Sequence, residues 1–457
     1  MWRAVVVGLV AALTLPWGAA LAREPVTMWF WGATPSYRRA LEDALVKPFN
    51  ASQDKYTLVI EYRRSVDNDV RVASIGGGGP DLIYTSGPSD VLTLAHAGNL
   101  APLDDYAATM GWNDRLQEPL MASCRVGGHL YCLPLSQEVD GLFYNKAVLT
   151  KYGWSVPTTM AQAEDIMRQA QAVGLYASVT GNRLWPPVNE NYSTVFLNQF
   201  VGPHDMACLV AGKSRWTSPQ VVQSMVELKR WYRSGFLGND DYFALDFDIS
   251  LLLLKQGRSP FFYGPTILFQ WMPKYFTGSD ADSIGFAPIP QLSPNSPYPF
   301  FDLGTAFTYS INARSKVKDG AAMVLNMMLS PRFITQVAKD WPGYWTPPLK
   351  DFPNDPDADA TGRLFYNTMG MVSQAIANGN YGYRTGTFLP PNTKDIFVTD
   401  VEAVWLDQET PMQMLEKVQR TFDHERGLGL VRPPSAPVDH CTEELAVAPS
   451  NPSPPPN

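Results

Sequence analysis

Histidine is scarce in this chain, with 5 residues in 457, and cysteine scarcer still, with 4. His96, His129, His204, His424 and His440 form no ligand-spaced set with the thiols, so no zinc site is expected, and nothing calls for another metal or a cofactor. Lysine and arginine are scattered rather than bunched with aromatics. With a formal net charge of -8, that pattern speaks against nucleic acid or an anionic membrane as partner. The glycine run "GGGGPD" (76–81) lacks the Lys-Ser/Thr that a phosphate-cradling loop needs. Neither a G-x-S-x-G elbow nor an H-E-x-x-H helix occurs, which removes two common hydrolase signatures. After the first 22 residues no apolar run is long enough to span a bilayer, since "LLLLKQG" (251–257) is stopped by Lys255.

What the chain does have is length and apolar mass. At 45% hydrophobic and 12% aromatic it can bury a large core, and 457 residues suit two domains or one bilobed one. Residues 1–22 combine Arg3, a short apolar run and Ala20-Leu21-Ala22, the pattern of an export leader cut after Ala22. In an oxidising compartment Cys124 and Cys132 are expected to pair, because "RVGGHLY" between them reads as a hairpin turning at Gly127-Gly128. The spacing does not decide the state of Cys208 and Cys441.

Strand and helix signals alternate from the start. "VTMWFW" (26–31), "YTLVIEYR" (56–63) and "DLIYT" (81–85) read as strands, with helical patterns after each; this rhythm predicts an α/β fold with a parallel sheet. Later segments are richer in helix. Thr159 and Gln162 form a capping box, Ser218-Pro219 opens a helix with Val221, Met225, Leu228 and Tyr232 on one face, and "SPFFYG" and "AFTYSI" are strand-like. From Arg432 onward the chain is proline-rich without apolar period and reads as a disordered tail over 432–457.

One strand poses a chemical question. In "CLPLSQEVDGLFYN" (132–145) an extended chain puts Ser136, Glu138 and Asp140 on one face, and such carboxylates are costly inside a protein unless something pairs with them. A protein group, a water or a ligand could do so. Residues two apart on one strand face place carboxyls roughly 5–7 Å apart, within glycosidase range, so a secreted carbohydrate-active enzyme with Glu138 and Asp140 as acid and base is one reading. Both groups would then lie on the same side of a bound sugar, which counts against it.

Five segments, in order, resemble the extracellular solute-binding proteins of ABC importers, in the sugar-binding branch. They are "GGGGPDLIYTSG", "GGHLYCLPLSQEVDGLFYNKAVLTKYGWSVPTTMAQAED", "LKQGRSPFFYGP", "SINARSKVKDGAAMVLNMMLSPRF" and "WPGYWTPP", spread over about residues 26–425. The resemblance implies a periplasmic-binding-protein-like fold of two α/β lobes joined by crossing hinge strands. The expected lobes are 23–137 with 304–345 and 138–303 with 346–431. It implies a periplasmic monomer that captures a sugar or polyol in the cleft, breaks no bond, and passes it to the ABC permease transmembrane subunits. A glycerol phosphate, a peptide or a polyamine is the alternative ligand, and a phosphate would need Arg183, Arg384 or Lys394 in the cleft. Glu138, four residues after Pro134, matches a ligand-contacting carboxylate of the family. Ligand contacts are further expected at Trp31, Thr34, Thr85, Ser86, Asp140, Trp185, Tyr263, Gly264, Asp302 and Trp345, since aromatic faces suit pyranose rings and carboxylates suit hydroxyl donors. The family's charged pair after the first strand is replaced by Ala33 and Thr34, which argues against a maltose-like specificity.

Overall fold

The computed structural model describes residues 23–446. The expected leader (1–22) and the last part of the expected tail (447–457) lie outside the described residues. The first strand, Glu24–Trp31, alternates as a half-buried strand should, with Val26, Met28 and Phe30 facing inward. It runs parallel to Tyr56–Arg63 and to Leu82–Thr85, and the connections are helical. The first of these helices opens at Pro35, with the Thr34 hydroxyl accepting from the Tyr37 N–H. Asp81 ties the sheet together: its carboxylate accepts from the Thr27 N–H (2.8 Å) and hydroxyl (2.7 Å) and from the Ser315 hydroxyl (2.6 Å). Two antiparallel strands, Thr308–Ile311 and Leu133–Pro134, complete a five-stranded sheet.

The second half of the molecule holds two three-stranded sheets. Asp140–Asn145 lies between Phe261–Pro265 and Ile284–Pro288, both antiparallel to it, while Phe301–Thr305 lies between Tyr381–Tyr383 and Gln137–Glu138. Long helices cover them, among them Met160–Ala172 and Pro411–Gly427, each closed by a Thr/Gln capping box. The buried apolar side chains fall into two clusters. One gathers Phe30, Trp112, Tyr309, Trp341 and Trp345; the other gathers Phe143, Phe196, Trp231, Tyr242 and Trp405.

Three stretches of chain cross between the two cores and bond to one another. Leu135 N–H donates to Phe307 O (3.3 Å), Ala306 N–H to Ser136 O (3.1 Å), Thr346 N–H to Leu135 O (3.1 Å) and Gln137 N–H to Thr346 O (2.6 Å). The two lobes also touch directly, where the Ser89 hydroxyl donates to Leu389 O (2.8 Å). Among the described residues no helix is long and apolar enough to cross a membrane.

The expectation of a disordered tail is corrected for 432–446. Cys441 is disulfide-bonded to Cys208, Leu445 is buried in the second core, and the Arg215 N–H donates to Glu443 O (2.8 Å). Proline-rich chain has no apolar period to read, yet here a covalent tie and backbone carbonyls fix it. Arg432 is buried and donates to Ser123 O and to Thr387 O (2.6 Å), with no ion pair among the described residues. A second disulfide joins Cys124 to Cys132 across the short hairpin of Arg125–Val126 and His129–Leu130.

Candidate functional site

The carboxylates that the sequence sets side by side are answered by a protein cation. Glu138 pairs in register with Gly304, Asp302 sits two residues before Gly304, and Arg384 follows the strand Tyr381–Tyr383, with its N–H on Leu303 O (2.9 Å). The Arg384 guanidinium meets Glu138 Oε2 at 2.7 Å, bonds to Asp140 Oδ2, and lies 3.6 Å from Asp302 Oδ2. Asp302 Oδ1 accepts from the Asp140 N–H at 3.1 Å. All four side chains are buried. Glycine at 304 makes the room, because a Cβ there would lie 2.5 Å from Arg384 Cδ.

Desolvation governs the charges. Burial lifts the Glu138 carboxyl above its ordinary range, although Arg384 pulls it down. Asp302 is lifted well above by burial first and by Asp140 second. Burial alone would lower Arg384, but Asp140, Glu138 and Asp302 outweigh it and hold the guanidinium charged. Among the described residues Glu138 Oε1 has no hydrogen-bond partner, and Glu138 lines a cavity of about 470 Å³ between the lobes. A buried acceptor left unpaired in a side chain beside a cavity is a place where a donor from outside the chain can be taken up.

The first lobe gives that cavity an aromatic wall. Tyr84 stacks on Phe307 (centroids 5.7 Å apart, planes at 17°), and Phe307 stacks on Tyr344 (4.6 Å, 19°). Burial pushes the Tyr84 phenol up to about 12, so it stays neutral. Across the gap stand Trp185 and Glu190 of the second lobe. Leu184, at φ 67°, makes the turn that throws Trp185 outward; its ring is 38% exposed and 5.3 Å from Phe247. Glu190 lies in the first turn of the helix Val188–Val201, where carboxylates are favoured. Its Oε1 accepts from the Thr194 hydroxyl (2.6 Å), the Gly386 N–H (2.6 Å) and the Thr385 hydroxyl. Lys394 and Asp395, on the helix Pro391–Thr399, complete the rim.

Of the expected contacts, Glu138, Ser86 and Trp185 line this cavity. The others lie outside its lining. Asp140 and Asp302 lie behind Glu138, spent on Arg384. Trp345 stacks on Phe30 inside the first core; it is the neighbouring Tyr344 that faces the gap. Trp31 supports that wall from behind, its indole N–H donating to the Tyr344 hydroxyl at 2.5 Å. Thr34 is an exposed helix cap. Thr85 spends its hydroxyl on Thr308 Oγ1 (2.6 Å) and Gly87 O (3.0 Å). Tyr263 and Gly264 are packed in the second core, where a Cβ on Gly264 would meet Leu268 Cδ1 at 2.7 Å. Sequence reasoning missed Glu190, Tyr84, Phe307 and Tyr344. It named Arg384 only as a possible anion-binding cation. Arg183 sits outside the cavity's lining, with Asp246 as its nearest carboxylate at 3.9 Å.

A family model for bacterial extracellular solute-binding proteins matches residues 34–333. A probable sugar-binding periplasmic protein of Rhizobium meliloti (strain 1021) is 25% identical over 258 residues, covering 50% of this chain and 57% of that protein. A maltotriose-binding protein of Pyrococcus abyssi (strain GE5 / Orsay) is 27% identical over 129 residues, covering 28% of this chain and 26% of that one. The chain thus spans little more than half the length of the first relative and about a quarter of the second. Among solved structures, a chitin oligosaccharide binding protein superposes with a TM-score of 0.73 at 17% identity, over 89% of this chain and 99% of that one, a likeness of fold.

Proposed function

We propose, for a chain that belongs to the bacterial extracellular solute-binding protein family, that the cavity between its lobes captures a small carbohydrate, a sugar or polyol, and that the loaded protein delivers it to the transmembrane subunits of an ABC importer. One observation carries the reading: a single cavity joins an aromatic wall of stacked rings on one lobe to Trp185, Glu190 and Glu138 on the other. A pyranose has the same two characters, with C–H faces that lie on aromatic rings and hydroxyls that donate to carboxylates. The names of the two sequence relatives, one sugar-binding and one maltotriose-binding, support the ligand class. Lobes joined by three adjacent crossings can close by a hinge motion, and the ligand would favour the closed form by the contacts made only there.

Bond-breaking chemistry finds less support. Glu138 and Asp140 share one guanidinium, and Asp140 does not reach the cavity, so the pair cannot flank a glycosidic bond. Export fits the two disulfides, and we assign the mature protein to the periplasm with the leader removed after Ala22.

A thermal-shift screen of the chain from residue 23 onward, against monosaccharides, disaccharides, polyols, glycerophosphates and amino acids, tests the reading. A ligand of the native state alone adds about 2.7 kcal/mol at a hundred times its dissociation constant. A shift by a sugar or polyol that is recovered intact upholds the proposal. Consumption of the sugar would restore the enzyme, and shifts with amino acids or phosphates alone would overturn the ligand class.

A further inference from the structure

We propose that this site selects among sugars by charge, admitting neutral and amine-bearing rings and rejecting those that carry a carboxylate or a phosphate. The inference rests on the carbohydrate reading above and adds what kind of carbohydrate fits. Its ground is how few cations the cavity can offer.

Among the described residues Arg384 is the one cation on the floor, and it is already engaged: Glu138 holds one terminal nitrogen, Asp140 the other, and Asp302 faces the third at 3.6 Å. The charged groups that line the cavity beside it, Glu138 and Glu190, are carboxylates. Among the described residues Glu138 Oε1 has no partner, and the three hydrogen bonds to Glu190 all fall on its Oε1. On the floor and directly behind it, Glu138, Asp140, Asp302 and Glu190 stand against one guanidinium, and with Asp302 neutral, as burial favours, three carboxylates still face one cation. If Glu138 also keeps its proton, a carboxylate remains in excess.

The rim does not reverse the sign. Lys394 makes no ion pair or side-chain hydrogen bond among the described residues, but Asp395 is beside it and the largely buried Asp90 of the first lobe lies within its field. An anionic substituent would meet like charge in a partly desolvated space, where screening by salt is weak. An ammonium or hydroxyl donor meets acceptors instead.

The test is calorimetric titration of the full chain at pH 7 with matched sets: glucose, glucosamine and glucuronate, then galactose, galactosamine and galacturonate, then mannose, mannosamine and mannuronate. Where a neutral sugar binds, its amine should bind within about threefold or tighter, and its acid about a hundredfold more weakly. The exchange Lys394→Gln touches no bond of the fold. Read as the ratio of acid to neutral sugar, it should widen the gap between the two. An acid that binds within threefold of its neutral parent and is lost in Lys394→Gln would make Lys394 an anion anchor and overturn the inference. Failure of every ring here, together with no thermal shift from any disaccharide or polyol, would remove the carbohydrate reading itself, and the inference with it; a disaccharide or polyol that does shift is titrated against its own acid in the same way.

Discussion

Replacing Arg384 by methionine keeps much of the side chain's volume and removes its charge. Two close charge-assisted contacts are lost, to Glu138 at 2.7 Å and to Asp140, and three buried carboxyls are left facing one another. Removing one partner of a buried ion pair costs about 3–5 kcal/mol, because the other is left uncompensated. We expect a loss near the middle of that range, about 4 kcal/mol, at about pH 7.5. The sign of the pH dependence follows from the shifts. Glu138 and Asp302 already have raised native values, so their contribution to stability is fully present below the unfolded carboxyl range, near 4, and is lost as pH rises through the native value. Without the guanidinium those native values rise further, and the variant should recover as its carboxyls take up protons. The deficit should fall to roughly half by about pH 5. Urea unfolding followed by tryptophan fluorescence, with 13 Trp in the chain, reads this directly, provided that the m-value is unchanged. An equal deficit at both pH values, or none at the higher one, would refute the idea that Arg384 is what makes these carboxylates tolerable.

Asp302→Asn should be at least as stable as the parent at neutral pH, and its stability should fall less steeply as pH rises, since the amide keeps an acceptor for the Asp140 N–H and cannot ionise; denaturant titrations at several pH values check this. Trp185→Ala, at a 38% exposed position, should change folding stability by no more than about 0.5 kcal/mol, yet weaken any ring-bearing ligand by about 0.5–1.5 kcal/mol in calorimetry. Cys441→Ser opens a link between residues 233 apart, for which chain entropy gives about 5 kcal/mol against about 2.5 for the link of separation 8 at Cys124–Cys132; paired melts with Cys132→Ser should rank the two in that order.

Local pattern made much of this molecule readable. Alternation in Glu24–Trp31 and the capping boxes at Thr159 and Thr410 act within a few residues, so the sequence carries them openly. The oddity of Glu138 and Asp140 was also visible as a demand for a partner. What met the demand was not visible, because Arg384 lies 244 residues beyond Asp140, in a stretch without period of its own. At two points the expected contact and the cavity wall differ by one position, Thr85 against Tyr84 and Trp345 against Tyr344. Tyr344 and Trp345 are neighbours on an irregular crossing segment, where no alternation says which faces the cavity and which the core. The tail misled for a different reason: prolines describe what a chain cannot do regularly, and say nothing of a disulfide 233 residues away.

The crossings also bear on the order in which the molecule can come into being. The strand Thr308–Ile311 stands between Leu82–Thr85 and Leu133–Pro134, and Trp341 and Trp345 fill the core beneath. The lobe that begins at the amino terminus therefore has no complete sheet until residue 311 is available, and no complete core until residue 345. By then the first half of the other lobe has been made and waits for Tyr381–Tyr383 and Arg384. Neither lobe can mature ahead of its neighbour as the chain emerges, so a growing polypeptide of this topology stays unfinished, and pliable enough to be threaded elsewhere, until nearly all of it exists.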